Sequence, residues 1–430
     1  LLLFALLAGA GLLQPRLEGD TQALLQGAEA FAACARTGTI PCPDAGHFPL
    51  FQHLIAWVAR ALGATGSLPR VFGALSGLSL AGLAWIGARR LTARPAALFW
   101  LALLASPLLW YARSTFNELP AALVILAFVV ALEQGASVGI AVLSLLICLT
   151  KEINPPILLL TAAAVWLRAE SPRPGRAPAL GLAFGLGAGL AANACFNLLR
   201  VGSPFNLAVL QPVFQVPSFA QQGRFALALL FSPNGGLLFF WPVAAVLLAW
   251  TGWRAPRAEQ GPRRLLPFLP LLPLLALIAG LSRWYSPMGW SAWGPRLLLP
   301  WLPAVLYLSL RAVPDDSFIA FAGAKRLARA LVIACTAAIP QGLALADRDT
   351  FNRFFESSPT CPPGLTIQSD PVAYYACVNH ALGWSPDHWL LLETMASVLE
   401  HPGLLAVVLV YGLVLASLLR AGFRREPSPN

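Results

Sequence analysis

Charge is scarce in this sequence. Only 11% of its 430 residues are Asp, Glu, Lys or Arg, against roughly 25% in soluble globular chains. That deficit excludes a soluble enzyme, a disordered chain and a free nucleic-acid binder. Lysine occurs only at 151 and 325, so arginine carries almost all of the net charge of +10. In an apolar chain, excess arginine reports which loops stay on the cytoplasmic side rather than a polyanionic partner. Residues 203–234 also lack the density of basic groups that a polyanion groove needs. Zinc-ligand spacing, a Walker loop, a nucleophile elbow and a dinucleotide fingerprint are all missing. No long internal repeat is present.

What the sequence has in quantity is apolar length. It is 57% hydrophobic with a mean hydropathy of +0.68, and the relevant ruler is a bilayer crossing of about 20 residues. The chain opens Leu1-Leu2-Leu3 without a Met. We expect its true start to lie upstream and the apolar remnant 1–13 to be an anchored first helix rather than a signal peptide. Further spans are expected at 70–88, 95–111, 118–134, 136–150, 155–167, 178–198, 235–253, 265–281, 297–311, 328–345 and 402–419. Long loops separate some of them, at 14–69, 200–233, 283–296 and 346–401.

Alternating the sides tests this reading. With loop 14–69 outside, the basic clusters at Arg89–Arg94, Arg168–Arg176, Arg254–Arg264, Lys325–Arg329 and Arg420–Arg425 all fall inside. That is the positive-inside bias. The long loops then share the outer face. Cys34 and Cys42 lie in the first of them, and Cys361 and Cys377 in the last. Two loop pairs in an oxidising compartment are expected to form two disulfides.

Charges near the outer face are costly and few. Glu18-Gly19-Asp20 follows the first span, and Asp20 opens a helical stretch from Thr21 to Cys34. Asp20 reads either as an N-cap or as a general base at the membrane surface. Asp44 to Leu50 contains His47 and leads into an apolar segment, 51–62, too short to cross, which we expect in the interface. Arg70 opens the second span. Arg113 and Glu118 flank a tight outer turn after Ser106-Pro107 and are spaced to pair. Lys151, in Thr150-Lys151-Glu152-Ile153-Asn154, either snorkels or meets a lipid phosphate as a compact point charge. Leu230 to Leu237 holds a Ser-Pro-Asn-Gly-Gly turn. Arg283 to Arg296 is rich in tryptophan, including Trp290 and Trp293. It fits an interfacial belt or a stacking surface beside a phosphate-binding Arg296.

In this order and on this face, the segments resemble GT-C glycosyltransferases, the multi-span enzymes that use polyprenyl-phosphate sugars. The resemblance is to bacterial members related to protein O-mannosyltransferases and the lipid A aminoarabinose transferase. It rests on Glu18-Gly19-Asp20, His47-Phe48-Pro49-Leu50, Arg70-Val71-Phe72-Gly73-Ala74-Leu75, Ser106-Pro107 to Glu118, Thr150-Lys151, Leu230 to Leu238, and Trp293-Gly294-Pro295-Arg296, and covers about 1–310. The sequence departs from the family in having Glu18 and Asp20 flank a glycine instead of standing adjacent.

The resemblance implies an all-α polytopic membrane protein, a GT-C type bundle of about 11–13 transmembrane helices with amphipathic helices in the first outer loop. Residues 1–310 would form the catalytic module, and 311–430 the C-terminal helices with loop 346–401. The activity would be inverting transfer of a sugar from a polyprenyl-phosphate donor to a glycan, lipid or protein acceptor. The place would be the outer face of a bacterial inner membrane, with no nucleic-acid partner. Asp20 would be the base, with Glu18 in reserve. Arg70, Lys151 and Arg296 would hold the phosphate, and His47, Arg113, Glu118, Trp290 and Trp293 would line the site. Some relatives take a divalent metal, although no ligand cluster here requires one. A lipid-sugar flippase or transporter is the alternative, but transporters tend to carry repeats and midplane charges. A non-catalytic scaffold would leave the charges of the outer face without a role. Peptide mapping without reductant is expected to recover both cystine pairs, Cys34–Cys42 and Cys361–Cys377; free thiols at all four positions would refute the oxidising assignment of this face.

Overall fold

In a computed structural model the chain is helical. The structure describes residues 19–42, 48–63, 68–112, 116–168, 175–206, 218–232, 235–258, 266, 268–284, 294–313, 321–346 and 403–423, with isolated positions between 362 and 400. Among the described residues the regular elements are all helices: α1 (Gly19–Thr37), α2 (Leu50–Ala61), α3 (Leu68–Arg90), α4 (Ala93–Leu104), α5 (Leu108–Tyr111), α6 (Glu118–Gln134), α7 (Ser137–Thr150), α8 (Asn154–Arg168), α9 (Arg176–Val201), α10 (Phe219–Phe231), α11 (Leu237–Phe240), α12 (Pro242–Ala258), α13 (Leu272–Leu281), α14 (Leu302–Arg311), α15 (Phe321–Ala337), α16 (Ile339–Ala346) and α17 (Gly403–Phe423). Of these, α3, α9 and α17 are long and apolar enough to cross a membrane unaided. The protein is an all-α polytopic membrane protein.

Prolines and glycines set the helix limits. Pro69, Pro95, Pro120, Pro155, Pro178 and Pro303 all sit in first turns, where a missing N–H costs nothing. Gly135 and Gly202 end α6 and α9 with φ of 66° and 74°, the left-handed conformation in which a side chain is strained. Every expected span from 70–88 onward maps to a helix, but five are interrupted or shortened, among them 235–253, which breaks at Trp241 between α11 and α12. Span 95–111 breaks between α4 and α5, because Pro107 can neither donate to the ladder nor clear the preceding turn. The span expected at 297–311 is helical only from Leu302, and the one at 265–281 is α-helical only from Leu272, after a 3-10 turn at 268–271. The one at 328–345 starts earlier, at Phe321, and breaks between α15 and α16, just before Pro340.

Two compact units divide the chain. Unit 1 holds residues 1–83, 111–211 and 269–276; unit 2 holds 84–110, 212–268 and 277–430. In unit 2 the break after α4 leaves carbonyls that need donors. Trp241 Nε1 donates to Ala102 O at 2.6 Å, Ser106 Oγ donates to Leu103 O, and the Tyr411 hydroxyl donates to Leu104 O at 2.7 Å. Side chains of α17 and of the residue after α11 thereby finish a helix end buried away from water.

In unit 1, α9 lies along α7. Gly181, Gly185 and Gly189 form a stripe with one residue per turn on α9. A Cβ at Gly189 would lie 2.6 Å from Cys148 Cβ, and one at Gly185 would collide with Ala141 O and Ser144 Oγ. Small residues let backbones approach where lipid supplies no hydrophobic drive for association. Gly187, off the stripe, has open space around it. Gly185→Ala is therefore expected to destabilise the protein by about 1–3 kcal/mol through overpacking, whereas Gly187→Ala should not lower stability. Thermal unfolding of both variants in detergent checks this; equal losses would refute the packing role of the stripe.

Candidate functional site

Helices α6 to α9 run up and down in unit 1, so the start of α6, the end of α7, the start of α8 and the end of α9 meet at one end. Their polar side chains converge there. Lys151, in extended backbone just past α7, places Nζ 3.0 Å from Glu118 Oε1. Glu118 is wholly buried in the first turn of α6, and the Lys151 side chain is 18% exposed. A carboxylate out of water requires a cation this close.

Asparagines satisfy the last carbonyls of α7. Asn117 Nδ2 donates to Thr150 O at 2.8 Å, Asn193 Nδ2 to Cys148 O at 2.7 Å, and Asn154 Nδ2 to Ile147 O at 3.2 Å and Thr150 Oγ1 at 2.8 Å. These bonds replace the water that a helix end normally has. They also hold the Lys151 backbone in place between α7 and α8.

Beside this lies Arg200, in the last turn of α9, its side chain 2% exposed. Nη1 donates to Phe48 O at 3.0 Å and Nη2 to Asn197 Oδ1 at 2.7 Å, while Nη2 lies 3.5 Å from Glu152 Oε1. Asn197 Nδ2 donates to the same carboxylate oxygen at 3.1 Å. The guanidinium carbon stands 4.9 Å from the centroid of the Phe196 ring.

The described part of loop 14–69 is fastened to this end. Cys34 and Cys42 form a disulfide, and Cys42 N donates to Leu199 O at 3.0 Å. Phe31, His53, Trp57 and Phe196 stack between α1, α2 and α9, with Phe31 and Trp57 centroids 4.9 Å apart. Segment 51–62, expected in the interface, is α2. Its Gln52, His53, Ala56 and Ala59 are buried, and its Leu54 and Val58 and the following Leu62 are exposed. Leu24 and Ala28 of α1 share an apolar cluster with Phe48, Ala56, Leu68 and Phe72.

The structure treats the sequence candidates unequally. It joins Glu118 to Lys151, a pairing the sequence spacing did not point to; Arg113, the partner expected for Glu118, lies outside the described residues. Glu18, His47, Trp290, Trp293, Cys361 and Cys377 also lie outside them. For Asp20 the structure gives the backbone: α1 begins at Gly19, earlier than expected, so Asp20 sits inside the first turn. It lies one turn before Leu24, while Arg70, exposed, lies between Leu68 and Phe72 on α3. Both therefore extend from elements rooted in the same apolar cluster. Arg296 belongs to unit 2, half-buried in the turn before α14; its N–H donates to Gly294 O at 2.8 Å. Sequence reading passed over Arg200, Asn193 and Asn197. The available signal was an arginine at the outer end of a span, where positive residues are not retained by topology. Among the described residues no three His, Cys, Asp or Glu side chains come together to hold a metal ion.

No family model matches the chain, and no curated protein matches it. Among solved structures, ArnT from Cupriavidus metallidurans in the apo state is similar over 98% of this chain and 75% of its own, at 21% identity and a TM-score of 0.49.

The Lys151–Glu118 contact makes its own prediction. Lys151→Met removes the cation from a wholly buried carboxylate and should cost about 3 kcal/mol, whereas Lys151→Met with Glu118→Gln should cost much less. Unfolding of the two single variants and the double variant closes the cycle; a double variant as unstable as the sum of the singles would refute the pair.

Proposed function

We propose that this protein is a GT-C type glycosyltransferase. It would move a sugar from a polyprenyl-phosphate donor to an acceptor at the extracytoplasmic face of a bacterial inner membrane. The observation that supports this reading best is the gathering of charge at one end of unit 1. Glu118, Lys151, Glu152 and Arg200 meet there, whereas the other charges of α6 to α9, Glu133, Arg168 and Arg176, lie at the opposite helix ends. A transporter would instead place its ionisable residues near the midplane.

The chemistry follows from the donor. Phosphate is a competent leaving group, so the enzyme chiefly positions the partners and neutralises charge. The Asp20 carboxylate takes the proton of an acceptor O–H or N–H. The freed electron pair attacks the sugar C1 on the side opposite the phosphate. The C1–O bond breaks, and polyprenyl phosphate departs with that electron pair, inverting the anomeric centre. Glu18 is the reserve base. Arg70 and Lys151 are the cations of unit 1 assigned to the phosphate, and Arg296 is the one the family resemblance adds from unit 2. Lys151 has three N–H donors, and Glu118 fixes its direction through one of them. His47, Arg113, Trp290 and Trp293 are the further residues that this reading assigns to the site lining, and Glu118 belongs to it through Lys151. The isoprenoid tail lies in the bilayer against the apolar helix faces.

Two measurements test this. Mass spectrometry of lipids extracted from the purified protein should find polyprenyl phosphate or its glycoside, and neither being present would count against the donor class. Asp20→Asn should lower transfer by at least about 100-fold, the lower range for a general base, while helix content and donor retention hold. Near-normal turnover of that variant would move the base elsewhere.

A further inference from the structure

Arg200 stands at the end of α9 that the positive-inside pattern places outside, where topology does not call for a cation, and its side chain is buried. Stability alone does not call for it either, since well-packed apolar side chains of similar volume commonly replace a buried ion pair without loss. What a guanidinium adds is direction. Its N–H groups diverge in one rigid plane, which the point charge of a lysine does not offer. Here they reach two segments far apart in the sequence. Nη1 donates to Phe48 O at 3.0 Å, and Nη2 faces Glu152 Oε1 at 3.5 Å.

Each segment leads to a residue of the proposed reaction. Glu152 follows Lys151 directly, so their Cα atoms are about 3.8 Å apart. Phe48 shares an apolar cluster with Leu24 of α1, and Leu24 lies one turn after Asp20. The last turns of α9 meet α1 a second time, because the Phe196 ring stands 5.5 Å from that of Phe31 and also lies against the Arg200 guanidinium. Asn197, three residues before Arg200 and so on the same helix face, stiffens the link. It accepts from Arg200 Nη2 at 2.7 Å and donates to Glu152 Oε1 at 3.1 Å.

We propose that Arg200 is a positioning residue. Through Phe48 it fixes the segment that carries the base, and through Glu152 it fixes the turn that carries the phosphate cation. This role rests on the assignments of Asp20 and Lys151 made above. Misplacing reacting groups by about 1 Å costs roughly 100-fold in rate, so a rigid link between their two supports serves the reaction as well as the fold. A phosphate held by Lys151 steadies the 150–154 turn, and Arg200 passes that order to 48–53.

Hydrogen exchange read by mass spectrometry tests this on the full chain in detergent, with and without undecaprenyl phosphate. In the wild-type chain the lipid should slow exchange several-fold at 150–154 and at 48–53 together. In Arg200→Gln the slowing at 150–154 should persist and that at 48–53 should vanish. Glu152→Ala, at a partly exposed side chain, should give the same split and decides the matter if Arg200→Gln does not fold. Arg200→Lys, which keeps the charge and part of the donor set, should retain part of the slowing at 48–53. A loss of stability alone would speed exchange across unit 1 and leave the lipid effect present in both segments. Slowing confined to 150–154 in the wild-type chain, or slowing at 48–53 that survives in both variants, would overturn the positioning role and leave the donor reading standing. No slowing at either segment of the wild-type chain would overturn the donor reading, and the role of Arg200 with it.

Discussion

The Arg200 guanidinium is withdrawn from water and gives its donors to the Phe48 carbonyl, Asn197 and Glu152. A buried cation with fewer partners would cost several kcal/mol, so each partner is constrained in turn. Phe48 fixes the loop before α2, Asn197 and Glu152 fix the turn between α7 and α8, and that turn carries Lys151. The described part of loop 14–69 thus sits on the helix ends, and the disulfide and the Cys42–Leu199 bond hold the same loop a few residues earlier.

A second constraint runs through both units. Where helices end among other helices, solvent does not complete their hydrogen bonding. Unit 1 uses Asn117, Asn154 and Asn193 for the end of α7. Unit 2 uses Trp241, Ser106 and Tyr411 for the end of α4. In unit 1 the asparagines also bring charge into register, because an amide that grips a carbonyl fixes the backbone carrying the next side chain. The polar end of the unit is thus built by helix termination, and the reaction proposed for it uses Lys151, whose backbone these asparagines hold.

Glu118 and Glu152 face Lys151 and Arg200 at one end of unit 1, so the buried charge there is near balance. Each acid is held by a cation close enough to offset its withdrawal from water.

Much of this was legible in the residues. Apolar runs between arginines located the helices, since bilayer-length segments tolerate few charges. The scarcity of charge drew attention to Glu118 and Lys151, and the loop cysteines at 34 and 42 indicated their bond. Proline in a first turn reads as a helix start, but the break at Pro107 escaped because a long apolar run hides it. By itself the sequence determined which segments are helical and which charges need a reason, because hydrophobic periodicity and desolvation cost are local properties. Only the tertiary structure decided that Glu118 meets Lys151 across 33 positions and that Arg200 reaches Phe48 across 152. Such pairings depend on which helix ends lie side by side, and that is settled by close packing such as the Gly181, Gly185 and Gly189 stripe against α7.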